Sequence, residues 1–225
     1  MESYHKIIYP WKFNPITNYD IQVKRQAEEN LGDRAHFLIH DNGSQERGLF
    51  DHEERMMMMG RVLMAEETVD VLKSDKTDEE KWKIINELMD NPNFLRQQAL
   101  DRRYADKYAQ VVTTKELLEC FQHAEKIIVG PDDKEYESIL KSLERVGADT
   151  LDVKNKEERI PSVKNIKNVT EKNLMQLIQK HGENWLVESI PGRILDMVYQ
   201  RVKEKLDKKR TLQEDKKRVL RKFFN

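Results

Sequence analysis

A single cysteine, Cys120, occurs in 225 residues, and that scarcity removes several classes of protein at once. No internal disulfide can form, and no zinc site can be built from several thiolates of this chain. A reducing, intracellular compartment is the expected setting. Glycine and proline are also scarce, at 8 and 6 residues, which favours long helices over turn-rich structure. No window approaches the roughly 18 to 20 uncharged apolar residues of a spanning helix. The start "MESYHKIIYPWKF" lacks the basic head and apolar core of a signal peptide. A soluble protein without a membrane partner is therefore expected. A glycine-rich phosphate loop, a nucleophile elbow and a convincing Cys/His pairing are missing too. The expectation is a non-enzymatic protein with no catalytic residue, cofactor or metal.

Charge is what the chain has in quantity, at 36% Asp, Glu, Lys and Arg. It is unevenly placed. Asp196 to Asn225 holds eleven Lys/Arg against five Asp/Glu, a surplus of +6, which leaves the preceding body at −7. A basic end on an acidic body fits a polyanion or an acidic protein surface as partner, and equally a solvated lysine-rich helix.

Helix punctuation is frequent. "TDEEKWKIINELMDNP" opens with a capping box, Thr77 to Glu80, sets Trp82, Ile85 and Leu88/Met89 on one face and stops before Pro92. "TTKELLECFQHAEKIIVGP" repeats the box at Thr113 and Glu116, and its stripe of Leu117, Phe121, Ala124 and Ile127/Ile128 predicts one helix to Gly130 with Cys120 beside the stripe. "PDDKEYESILKSLERVG" predicts a helix closing at Gly147 with Tyr136, Ile139, Leu140 and Leu143 inward. Between Asp51 and Ser74, the block Met56 to Met59 lies in a helix apolar over much of its first half. Thioethers there fill irregular core gaps, or else form an adaptable docking groove.

These signals predict a mainly α protein. Residues 1–15 read as an extended aromatic arm, because Tyr4, Tyr9, Trp11 and Phe13 are interleaved with Pro10 and Pro15. Residues 16–147 read as a multi-helix bundle, in which "RAHFLIHDNG" is either a short strand or an apolar helix end before a turn at Asn42-Gly43. Residues 148–165 are polar and aperiodic, a linker. A three-helix unit over 166–208 and a basic amphipathic helix over 211–225 complete the chain.

His36, His40, Asp41, Asp51, His52, Glu53 and Glu54 are the residue types of a divalent-metal site. The pair His40-Asp41 resembles that of HD-type phosphohydrolases, but the earlier histidine would be His5, in the arm. Polar residues around a surface turn account for the same letters.

The stretch "VTEKNLMQLIQKHGENWLVESIPGRILDMVYQRVKEKL" gives three short helices with a turn before the last, a helix-turn-helix layout. The residues fit an ordinary three-helix bundle as well. Through "LIQKHGENW" and "PGR", residues 166–206 resemble the Myb/SANT family, with Trp185 as a core tryptophan. The resemblance implies binding of DNA, or of histone tails and other proteins, through the third helix. Arg193, Gln200, Arg201 and Lys203 would then form its recognition face. Beyond it, Lys216, Lys217, Arg218, Arg221 and Lys222 suit a phosphate backbone. The functional expectation is a nucleic-acid- or chromatin-binding protein, nuclear in a eukaryote. The alternative is an adaptor subunit of a larger, possibly viral, assembly that uses its arm and terminal helix as contacts with other protein subunits.

Overall fold

A computed structural model describes residues 5–41, 49–88, 94–130, 133–147, 150–160 and 184–223, together with Leu174, Gln176, Ile178 and Lys180. Its first element overturns the expected arm. Ile7–Trp11 is strand β1, buried at every position. The run Ile-Ile-Tyr-Pro-Trp has no alternation because both of its faces are covered, as in parallel sheets. Pro10, which argued against a strand, lies past the point where pairing with one neighbour stops. Strand β4 is in register only with Ile7 and Ile8, while β2 continues alongside to Trp11.

Helix α1 (Asn18–Leu31) follows, then β2 (His36–Asp41), α2 (His52–Lys73), α3 (Asp78–Leu88), α4 (Phe94–Tyr108), β3 (Ala109–Thr113), α5 (Thr114–His123), β4 (Lys126–Val129), α6 (Asp133–Glu144), α7 (Thr150–Lys154) and β5 (Glu157–Arg159). The strands form one five-stranded sheet in the order β3-β2-β1-β4-β5, parallel at every pairing. The chain therefore folds as an α/β protein with a parallel sheet, not as a mainly α bundle.

Three further sequence expectations change for local reasons. The helix expected from Thr113 to Gly130 stops at His123, with Ala124 extended at ψ 141°. The β-branched run Ile127-Ile128-Val129 then enters the sheet, where such residues pack well. The expected linker contains α7 and β5, and β5 has only the polar sequence Glu-Glu-Arg, because a three-residue edge strand needs little apolar signature. The basic terminal helix is not separate. Leu195–Phe223 is one helix, α9, in which the Thr211 hydroxyl donates to the Asp207 carbonyl 3.1 Å away instead of capping a new start.

Other signals stand as read. Asp51 caps α2, which ends at Ser74. Met56, Met58, Met59 and Met64 are all buried, so the methionine block is packing material. Tyr136, Ile139, Leu140 and Leu143 face inward from α6. Trp82 does not; it is 59% exposed.

Under the right-handed rule for parallel crossovers, this strand order assigns α1, α2, α3 and α4 to one face of the sheet and α5, α6 and α7 to the other. The C-terminal elements, α8 (Asn184–Ser189), a 3₁₀ turn (Gly192–Ile194) and α9, pack on the first face. The turn contacts α2, and α8 contacts α1. Ile194, Val198 and Val202 share one buried cluster with β1, β2 and β4. Arg61 of α2 reinforces this seam. Its Nε donates to Asp101 Oδ2 of α4 at 2.6 Å, and another guanidinium nitrogen reaches Met197 Sδ of α9. Asp101 is fully buried and also accepts from Gln97 Nε2 at 2.8 Å, so the buried charge is paired and hydrogen-bonded.

Candidate functional site

In the order β3-β2-β1-β4-β5, the chain builds outward from β1 in one direction and then restarts on its other side. The reversal lies between β1 and β4, and ligands of open parallel sheets bind outside the carboxyl ends of the strands at such a reversal. Between the two strands themselves the space is filled. A Cβ added to Gly130, just after β4, would meet the Tyr9 hydroxyl at 3.0 Å and the Trp11 ring at 3.4 Å. Tyr9, Phe13 and Phe37 pack edge to face or tilted, with centroids 4.9 to 5.6 Å apart.

The loop from β1 to α1 is tightly held. Phe13 takes φ 45°, the Asn14-Pro15 bond is cis, and the Asn14 side chain both accepts from Phe50 N at 2.9 Å and donates to Phe50 O at 3.4 Å. Thr17 caps α1 in a reciprocal box with Asp20. The Thr17 backbone N–H and hydroxyl both donate to Asp20 Oδ2, at 2.8 and 2.7 Å. Burial pushes the Asp20 carboxyl up to about 6, against the pull of hydrogen bonds from Thr17 and Tyr9. The first turn of α1 is thus fixed close after the carboxyl end of β1, the central strand.

A cleft of about 360 Å³ opens next to that turn. Asn18, Gln22 and Arg25 line it from α1, Ala65 and Glu66 from α2, and Pro191 to Arg193 from the 3₁₀ turn. Asn18 Nδ2 donates to the Glu188 carbonyl at 3.1 Å, which joins the two sides of the cleft. Arg25 is ion-paired with Glu66. Arg193 is exposed. Arg25, Glu66 and Arg193 are the charged side chains among the lining residues, and the α1 N-terminus adds its partial positive charge.

The residues of the expected nucleic-acid face differ in their surroundings. Arg193, Gln200 and Lys203 are exposed, but Asp196 and Asp207 are exposed on the same helix and make its outer side mixed in charge. Arg201 is engaged elsewhere: it pairs with Glu54 of α2 and stands over the Phe50 ring, 5.6 Å from its centroid. Lys216, Lys217, Arg218, Arg221 and Lys222 lie in the helical backbone of α9, and their side chains fall outside the described residues, as does that of Trp185 in α8. Cys120 is half-buried on α5, packed against the core.

Of the metal-like letters, His36, His52 and Glu53 line one cleft together with His5, and His40, Asp51 and Glu54 lie apart from it. His40 Nε2 lies 3.1 Å from the Thr114 hydroxyl, whereas His36 stacks on His5. Asp51 and Glu54 cap α2, and the side chain of Asp41 falls outside the described residues. Among the described residues, no group of three or more His, Cys, Asp or Glu side chains is arranged to hold a metal ion. Among them, too, no helix is long and apolar enough to cross a membrane.

The residues around the cleft at α1 were missed in the sequence. Their signal was the apolar run Ile7 to Trp11 followed by the box Thr17-x-x-Asp20, which together spell a strand, a turn and a helix start. Comparison with known proteins adds nothing to this geometry: no protein-family model matches the chain, and no curated protein matches it.

Proposed function

We propose that this protein binds a small phosphate-bearing ligand in the cleft between the first turns of α1, helix α2 and the Pro191–Arg193 turn. The observation that carries the reading is the cleft itself, in which Arg25, Glu66 and Arg193 from three separate elements come together beside the first turn of α1. The concave shape indicates where a ligand goes, and the side chains indicate its charge. Arg25, in its pair with Glu66, and Arg193 bring two guanidiniums, the group suited to oxyanions, to the cleft walls, and the helix N-terminus favours negative charge. Titration calorimetry with inorganic triphosphate at low salt tests this. Binding that Arg193→Gln weakens about tenfold, the loss of one charge-assisted hydrogen bond, supports the site. Absence of binding by the unaltered chain at millimolar triphosphate refutes it.

A second reading, nucleic-acid or chromatin binding through the C-terminal third, keeps support from one observation: the basic segment continues the 29-residue helix α9. Since Arg201 is paired with Glu54, this reading rests on backbone contacts from Lys216, Lys217, Arg218, Arg221 and Lys222. Replacing those five with Gln flattens the salt dependence of duplex binding by roughly 0.9 per lost contact on the log-log slope. A nuclear location belongs to this reading alone. If the unaltered chain shows no affinity for duplex or single strands at low salt, an adaptor role with other protein subunits replaces it.

A further inference from the structure

A second cleft, of about 470 Å³, lies beside the start of β3 and is lined by His5, His36, His52, Glu53, Arg102 and Asp106. In it the His5 and His36 rings lie 3.4 Å apart, centroid to centroid, and within 7° of parallel. His36 is 6% exposed. Its Cα partner in the sheet is Ile8, so the stack ties the residue two places ahead of β1 to the first residue of β2. Among the described residues neither ring has a hydrogen bond or an ion pair.

We propose that His5 and His36 form an acid-sensitive latch, closed while both rings are neutral, which holds the amino end of β1 over β2 and floors this cleft. Two imidazolium cations at stacking distance repel each other, and burial strips the hydration that either charge needs. The charged neighbours do not compensate. Arg102 Nε donates to Asp106 Oδ1 at 2.9 Å, so that pair from α4 largely satisfies itself. From α2, His52 and Glu53 are exposed. Beside β4, Glu125 pairs with Lys6 at 3.9 Å.

Titration supports the geometry. Burial, and after it the charge of His5, hold His36 down at about 3, and burial also lowers His5. Released histidines return to about 6.5. Below that pH the open form takes protons that the closed form refuses, so closure is complete above about 6.5 and weakens as pH falls towards 3. Each refused proton shifts the balance tenfold per pH unit. Between pH 7.5 and 5 the open fraction rises by up to about 30-fold per histidine. Opening frays the β1–β2 end without detaching β1 from the β4 side, where the Lys6 carbonyl still accepts from Glu125 N and Lys126 N at 2.8 and 3.0 Å.

The test is amide hydrogen exchange of the full chain against His5→Phe/His36→Phe, which keeps two stacked rings without a titrating group. Comparing both proteins at each pH removes the intrinsic pH dependence of exchange. Protection of the amides around Lys6 to Ile8 and at Phe37 should fall in the natural chain, relative to the double variant, between pH 7.5 and 5. Parallel profiles would overturn the latch. Should the double variant not fold, His5→Phe alone is read by the NMR titration of His36. A midpoint moved up towards 6.5 supports the pairing, and an unmoved midpoint refutes it.

Discussion

Gly60→Ala should be among the most damaging single-methyl changes in the protein. Gly60 lies within α2 where the helix crosses α4. A Cβ at this position would stand 1.8 Å from the backbone oxygen of Asp101, 2.6 Å from its carbonyl carbon and 3.1 Å from its Cα. Those atoms belong to a helix backbone and cannot rotate away. Ordinary contact begins near 3.4 Å, so the helices must separate by about 1.5 Å. A gap of 0.5 to 1 Å already forfeits roughly a quarter to a half of each dispersion contact. Here it would run along α2 and α4, and would stretch the buried Arg61–Asp101 pair as well. Alanine gains at most about 1 kcal/mol in helix propensity over glycine. Overpacking of this kind costs about 3 kcal/mol or more, so the steric term wins. Urea unfolding followed by far-ultraviolet circular dichroism gives the difference by linear extrapolation. A Gly60→Ala protein as stable as the natural chain would refute the close crossing of α2 and α4.

Two further outcomes follow from named contacts. Asp20 is protonated more readily folded, at about 6, than unfolded, near 3.8. Its contribution is therefore favourable below about 3.8 and is lost as pH rises to 6, at a cost of roughly 3 kcal/mol above that. Asp20→Asn relieves this while weakening the cap by about 1 kcal/mol. Melts at pH 8 should show a net gain on the order of 1 to 2 kcal/mol that disappears near pH 4; a loss at pH 8 would contradict the assignment. Arg201→Ala removes the Glu54 pair and the contact with the Phe50 ring. Because the pair is partly exposed, the cost is about 1 kcal/mol. Under the nucleic-acid reading, duplex titrations should show no change in sequence discrimination, and altered discrimination would mean that Arg201 leaves Glu54 to reach a base.

Local chemistry was readable wherever it is resolved within one turn of chain. Asp51, Thr77 and Thr113 each accept from an amide three residues on, and each starts a helix where the sequence places one. The inward stripe of α6 was legible for the same reason, since 3.6-residue periodicity is a property of the segment itself. The signal failed where burial on two faces erased periodicity. Ile7–Trp11 looks the same as an apolar arm until β2 and β4 lie alongside it, and Lys126–Val129 looks like the end of a helix until it pairs with β1. The candidate site failed for a related reason. Arg25, Glu66 and Arg193 are 41 and 127 residues apart in sequence, and only the crossovers and the docking of the 3₁₀ turn on α2 bring them to one cleft. The sequence by itself determined the helix starts at Asp51, Thr77 and Thr113, the inward stripe of α6 and the basic end of the chain. The tertiary structure alone decided the parallel order of the strands, and with it the place of the cleft, because strand pairing is a long-range choice that no local residue pattern encodes.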